Sequence, residues 1–186
     1  MIDDPQSPVD AAEVSAVVEE IERGADAIEV PDELVKASEP SAPAPDEPPK
    51  ALWLQVREMT VAQRVKLALR GNKDARMILL HDSNKLIRRL VMNNPRISEE
   101  ELLMLAKDRN TDEEILRTIA DHRDWMKVYA LRAALVENAK TPAPKALQLL
   151  VTLGDREIAR LAKSKNVPSV IATQARKVHF QKMTFR

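Results

Sequence analysis

From residue 51 to about residue 180, apolar side chains recur three or four residues apart in short bursts, each broken by a polar turn before the next begins. That spacing puts the apolar positions of each burst on one face of a helix. Helix starts fall near residues 51, 61, 73, 84, 99, 112, 125, 142, 155 and 168, which predicts ten helices of two to three turns. No Val/Ile/Thr-rich alternating run competes as a strand. Helices this short are marginal in isolation, so they must bury their faces against one another.

Local signals support the boundaries. Thr60 with Gln63, Ser98 with Glu101 and Thr111 with Glu114 have the spacing of a capping box, in which a hydroxyl accepts from the third helical N–H and the longer side chain reaches back. Gly24, Gly71 and Gly154 each follow a helical run, where a left-handed residue is expected. Pro142 and Pro168 stand near helix starts, where a missing N–H costs little.

Two stretches match others within the chain. Leu105-Ala106-Lys107-Asp108-Arg109-Asn110 aligns with Leu161-Ala162-Lys163-Ser164-Lys165-Asn166, 56 residues on. Arg88 to Asn94 aligns with Arg132 to Asn138, 44 residues on, and Arg96 with Lys140. Both describe a helix that ends in Asn, a short turn and a new helix. Units of this kind bury a face only against their neighbours. Arg88 and Arg132, six residues before their Asn, are expected to tie adjacent repeats together.

The segments Arg88…Asn94-Pro95-Arg96-Ile97-Ser98 and Arg132…Asn138-Ala139-Lys140-Thr141-Pro142 resemble the leucine-rich-repeat-variant pattern, an Arg, an apolar pair, then Asn-Pro-x-Thr-Pro opening the next helix. Ile97 stands where that pattern has Thr, and Ala139 where it has Pro. Residues 51–180 also look like a group of uncharacterised bacterial proteins with this layout. The resemblance implies an all-α fold, a short right-handed α-solenoid of about five helical hairpins related to HEAT and armadillo arrays. It implies no chemistry, and the cysteine-rich cluster-binding segment of one member of the repeat family has no counterpart here.

Charge changes the picture at the N-terminus. Residues 1–50 carry 14 acidic and 3 basic side chains, and residues 51–186 carry 15 and 26, so a chain of zero formal charge divides into −11 and +11. Five prolines lie between Pro40 and Pro49. Dense proline and charge prevent a segment from burying enough apolar surface to offset its ordering entropy. Residues 1–38 are therefore expected to be a disordered acidic tail, 39–50 a stiff Pro-rich linker, 51–182 the helical-repeat domain and 183–186 a frayed terminus. Within the tail, Val14, Val17, Val18 and Ile21 fall at helical spacing, which marks a short amphipathic helix near 10–23. The folded part is itself uneven, with net charges of +7, −3 and +7 over residues 51–96, 97–155 and 156–186.

Candidate chemistry is sparse. The absence of cysteine excludes disulfides, thiolate zinc sites, iron–sulfur clusters and a cysteine nucleophile. His81, His122 and His179 lack a spacing that places two ligands on one helix face, and the acidic runs at 99–101 and 112–114 suit helix first turns. No phosphate-cradling glycine loop or serine elbow occurs. Asp121-His122-Arg123-Asp124-Trp125 could suggest acid–base work, but Trp125, Tyr129, Ala133 and Val136 form one stripe and Val128, Leu131 and Leu135 another, which reads as a core helix. No catalytic, metal or cofactor-binding residue is assigned. The start of the chain lacks a signal-peptide pattern and no run approaches a membrane span, so the expected location is the cytoplasm.

These features point to a non-enzymatic scaffold that binds another protein through one face of the helical array. The alternative is a nucleic-acid or polyanion-binding module autoinhibited by the acidic tail, with Arg156, Arg160, Lys163, Lys165, Arg176 and Lys177 as the candidate contacts. The boundary itself is testable. Limited proteolysis should cut first between Ser38 and Lys50, leaving a resistant fragment from about Ala51. First cuts in the Asn93–Ser98 or Asn138–Pro142 turns, read by mass spectrometry, would place it elsewhere.

Overall fold

The computed structural model describes residues 11–24, 28–36 and 50–184, and every regular element among them is helical. The chain divides into two compact units, Met1–Ile97 and Ser98–Arg186.

In the first unit, α1 (Ala11–Glu22) packs on α3 (Val61–Arg70). A 3₁₀ turn follows α1 at Asp32–Leu34, and α2 (Lys50–Glu58) packs on α4 (Lys73–Leu79). Helix α5 (Lys85–Met92) completes the unit against α3 and α4. The Thr60–Gln63 capping box opens α3, while Asn72 and Asn84 cap α4 and α5 by accepting from Ala75 N and Leu86 N. The core is aliphatic, with Val65, Leu67, Leu79, Ile87 and Val91 fully enclosed.

Val14, Ile21 and Leu34 belong to the same buried set, at 5, 2 and 0% exposure. Helix α1 lies within the 10–23 stretch where a short amphipathic helix is expected, and residues 11–24 and 28–36 pack on this unit. Composition understated them because their apolar residues are few but fall on one face, and that face meets α3. Of the expected linker only Lys50 is described, and it begins α2.

In the second unit, α6 (Glu99–Lys107) packs on α7 (Glu113–Asp121) and on α8 (Tyr129–Glu137). Helix α9 (Ala143–Leu150) lies on α8, and α10 (Asp155–Lys163) pairs with α11 (Ser169–Thr184). One cluster of Val136, Leu150, Ile158, Leu161 and Ile171 joins α8 to the last three helices.

Ten predicted starts meet observed elements, with one break. Trp125–Lys127 is a 3₁₀ turn, Val128 is extended (φ −74°, ψ 112°), and α8 begins at Tyr129. The two aromatics therefore do not share a helix face. Tyr129 is 44% exposed and Trp125 half-buried, while Leu131, Leu135 and Val136 fill the core. The expected aromatic core stripe is replaced by an aliphatic one.

Two other local expectations change. Only Gly24 is left-handed (φ 75°); Gly71 and Gly154 are extended. Thr111 is not a cap: Asp112 caps α7 by accepting from Glu114 N, and the buried Thr111 hydroxyl donates back to Leu105 O at 2.8 Å.

The repeat seen in the sequence is a repeat of turns. Asn94, Asp108 and Asn138 each accept, through side-chain Oδ1, from the N–H two residues on, at 2.9, 2.9 and 3.0 Å. Ser164 does so through its hydroxyl at 3.2 Å. A half-buried or buried residue follows in each turn (Ile97, Thr111, Thr141, Val167), and then the residue that opens the next helix (Ser98, Asp112, Pro142, Pro168). The two asparagines do more. Asn94 Nδ2 donates to the carbonyls of Ala68 and Leu69 at 2.8 and 3.0 Å, and Asn138 Nδ2 to those of Ala106 and Asp108 at 2.9 Å each. Each carboxamide thus closes the C-terminal end of a helix across the fold, and each is followed by a cation that adds one more carbonyl: Arg96 to Arg70 O and Lys140 to Asn110 O.

Replacing Asn94 or Asn138 with Ala leaves two carbonyls without their donor at a site only 1 or 5% exposed. Each change should cost about 1–3 kcal/mol in urea unfolding. Asn166→Ala, at an exposed position of the equivalent turn, should stay within about 0.5 kcal/mol.

Candidate functional site

The most elaborate recognition in the first unit lies along α3. Gln63, Lys66 and Arg70 stand three and four residues apart, on one face of a helix. Their side chains donate to the main-chain carbonyls of Glu29 (2.9 Å), Ile28 and Ile21 (3.1 Å) respectively. Asn72 extends the row: Nδ2 donates to the carbonyls of Glu33 (2.7 Å) and Lys36 (3.2 Å), and its own backbone N–H to Leu34 O (2.8 Å). The seat therefore reads backbone in the arm, and the three enclosed apolar side chains, Val14, Ile21 and Leu34, fix the register.

Four of the arm's charged side chains pair with one another. Glu19 pairs with Arg23 at 3.0 Å and Asp32 with Lys36, all four largely exposed. The hydrogen bond from Lys36, helped by its charge, holds the Asp32 carboxyl below the usual carboxylate range. Pairs of this kind add little stability. The broader electrostatics favour docking, since residues 11–36 carry eight acids and two bases against the +7 of residues 51–96.

The turn between α3 and α4 depends on Gly71. A Cβ there would lie 2.3 Å from the Leu67 carbonyl oxygen and 2.9 Å from Ala75 Cβ, so the close approach itself requires glycine. Its carbonyl accepts from Arg76 at 3.0 Å. In the same unit, Arg64 and Asp82 form an ion pair at 2.8 Å, each side chain 6% exposed. A groove of about 700 Å³ opens over this pair, walled by Trp53, Leu54 and His81, with the Trp53 and His81 rings 5.6 Å apart.

The residues singled out from the sequence fall elsewhere. Arg88 Nη1 donates to Asp82 O at 2.8 Å, six residues upstream, and the Arg132 guanidinium lies 5.5 Å from the Tyr129 ring centre. The helix-to-helix joints described above come from Asn94 and Asn138. Of the candidate polyanion contacts, Arg160 is engaged by Glu157 and Glu137, which hold its proton more tightly than usual. Arg176 Nε donates to Ala162 O at 3.2 Å. Arg156, Lys163, Lys165 and Lys177 are exposed, but Arg156 sits in the first turn of α10 and Lys163 in its last.

His122 stacks on Trp125 (centres 3.9 Å apart, 19° between planes). Asp121 pairs with Lys145, and Asp124 with Lys127, whose hydrogen bond draws the Asp124 carboxyl below its usual range. Both acids face lysines, so no acid–base relay through the imidazole is assembled there. Among the described residues no group of three or more His, Asp or Glu side chains is placed to hold a metal ion, and no helix is long and apolar enough to cross a membrane.

The arm seat was missed by the sequence reading. Its signal was present in the row Gln63, Lys66, Arg70, a polar stripe on a helix whose other face is Val65, Leu67 and Ala68. Comparison with protein-family models, with curated proteins and with solved structures gave no match.

Gly71→Ala should destabilise the protein by about 1–3 kcal/mol and loosen the arm, because Asn72 is the adjoining residue. Gly154→Ala is the control, since a Cβ there meets only Tyr129 Oη at 3.4 Å. Urea midpoints and the rate of proteolysis within residues 11–36 read the two effects; equal behaviour of the variants would count against the seat's dependence on Gly71.

Proposed function

We propose that this protein is a non-enzymatic protein-interaction module, in which the α3 face takes a short acidic segment of a partner and the N-terminal arm holds that face until the partner displaces it. The observation that carries this reading is the main-chain recognition by Gln63, Lys66, Arg70 and Asn72. Carbonyl contacts are available from any chain of the right shape, so selectivity falls to the apolar anchors. A fitting segment has two apolar residues seven apart on a helix, as Val14 and Ile21 are, and a Leu in a following 3₁₀ turn. The repeated Asx turns support the wider reading of a helical-repeat scaffold of leucine-rich-repeat-variant or HEAT-like type.

A tethered arm competes at an effective concentration of about millimolar for a linker of this length. A partner must therefore bind tightly or find the arm already released. The chain from residue 38 onward, titrated with a fluorescent peptide of residues 11–36, should bind it with a dissociation constant in the micromolar range or below, and full-length protein should bind it at least about 10-fold more weakly. Far-UV circular dichroism of the truncated chain decides the remaining question. If the truncated chain is unfolded, the arm is a fixed cap of the helical array and the module reading fails; if it is folded but does not bind the peptide, the seat has no affinity of its own.

A further inference from the structure

The second unit carries a separate cationic feature at the C-terminal ends of α6, α8 and α10. Asn138 joins the end of α6 to that of α8, and Arg160 joins α10 to α8 through Glu137. Between the three ends lies a cavity of about 200 Å³, lined by Lys107, Arg109, Glu137, Asn138, Arg160 and Ser164 above an aliphatic floor that includes Leu161; Lys163 and Lys165 flank the lining Ser164 and are exposed beside it. The turn Lys107-Asp108-Arg109-Asn110 forms one side and its sequence match Lys163-Ser164-Lys165-Asn166 the other. The two turns place a cation at the same two positions.

The ordinary account of basic residues at helix C-termini is that they answer the exposed carbonyls and the macrodipole. Here other groups have taken several of those carbonyls. Thr111 donates to Leu105 O, Asn138 to Ala106 O and Asp108 O, and Arg176 to Ala162 O. Lys107, Arg109, Lys163 and Lys165 are all exposed. Asp108 and Glu137 are the acids of the three turns, against these four cations and Lys140. Of the two acids, Glu137 is committed to Arg160 and Asp108 accepts from Asn110 N. The rim therefore keeps an excess of positive charge.

We infer that this rim binds the phosphate backbone of a nucleic-acid duplex, with Lys107 and Arg109 on one side and Lys163 and Lys165 on the other. Apart from Glu137, which is paired with Arg160, the polar lining is made of cations and small polar groups, and it holds no aromatic ring. Phosphate contacts of this kind position a protein without reading sequence, and a single-strand site would want aromatic platforms for unstacked bases. The inference is independent of the arm seat. It keeps Lys163 and Lys165 from the set Arg156, Arg160, Lys163, Lys165, Arg176 and Lys177 and adds Lys107 and Arg109 from the matching turn.

Four neutralised phosphates predict a slope of about −3.6 for the logarithm of the binding constant against the logarithm of salt concentration, on the order of a 100-fold loss between 50 and 200 mM. Fluorescence anisotropy with full-length protein and a labelled random-sequence duplex measures it. Lys107→Gln with Arg109→Gln should reduce the slope by about 1.8, as should Lys163→Gln with Lys165→Gln, and all four together should abolish binding. Arg156→Gln with Lys177→Gln should leave slope and affinity unchanged. Circular dichroism and urea midpoints confirm that the variants, all at exposed positions, keep the fold. The inference is overturned if the protein does not bind duplex at 50 mM salt, or if the Arg156/Lys177 variant loses as much as the rim variants. Tighter binding to a single strand of equal length, or equal competition by polyglutamate at matched charge, would also overturn it, the first assigning the rim to single strands and the second to an acidic protein.

Discussion

A helix of nine residues leaves four carbonyls at its C-terminal end without an intrahelical partner, close to half of all it has. A fold made of such helices is therefore limited less by how well it fills its core than by how it satisfies these ends. The buried carboxamides of Asn94 and Asn138 are this protein's principal answer. Each is short enough to stay in its own turn, where its oxygen accepts from the N–H two residues on. Its nitrogen still reaches two carbonyls of a helix roughly thirty residues upstream. A lysine or arginine could supply donors there, but it could not also organise the turn, because it has no acceptor. The same residue closes one helix end and sets the start of the next, which explains why the turns repeat more faithfully than the helices between them.

The N-terminal arm follows from the same constraint. Asn72 treats the 3₁₀ turn at Asp32–Leu34 as Asn94 and Asn138 treat the ends of α3 and α6, donating from one carboxamide to two carbonyls. The arm is thus accepted in the first unit on terms that the fold applies to its own helices. What differs is the remainder of the seat. Gln63, Lys66 and Arg70 are flexible donors at the surface of α3, and the apolar anchors are three residues spread over 21 positions. A contact made this way fixes the register of the arm through few apolar anchors, which suits the displaceable segment proposed above.

Much of the fold was legible because short helices need explicit punctuation. Thr60 and Ser98 announce their helices with capping boxes that form as read, and the match of Asn94 with Asn138 is a match of joints. The misreadings share a cause, which is that a local pattern was asked to report on a distant partner. Trp125 and Tyr129 have helical spacing, but Val128 is extended and turns one from the other. Gly71 looks like a left-handed cap, yet its lack of a Cβ is needed for the approach of Leu67 O and Ala75. The arm's Val14, Ile21 and Leu34 are too few to suggest a core until α3 is placed under them. The basic C-terminal residues were counted by position in the chain, whereas the cavity selects Lys107 and Arg109, which lie in a region of net negative charge.

That selection bears on why a chain of zero net charge separates its charges so sharply. Between arm and seat, main-chain contacts stand beside the attraction of opposite charges. Lys66 and Arg70 spend donors on arm carbonyls, while Asp32 and Glu19 pair within the arm. The attraction between arm and seat is therefore of two kinds. The field between a segment at −6 and a region at +7 fades once the Debye length falls below about 10 Å. The carbonyl contacts and apolar anchors do not fade. The proposed rim of the second unit offers the first kind, since Lys107, Arg109, Lys163 and Lys165 are all exposed. Ionic strength should act on the two units unequally for that reason. If the arm exchanges as proposed, its acids should set the rate at which the seat is found, and the backbone contacts how long it is kept.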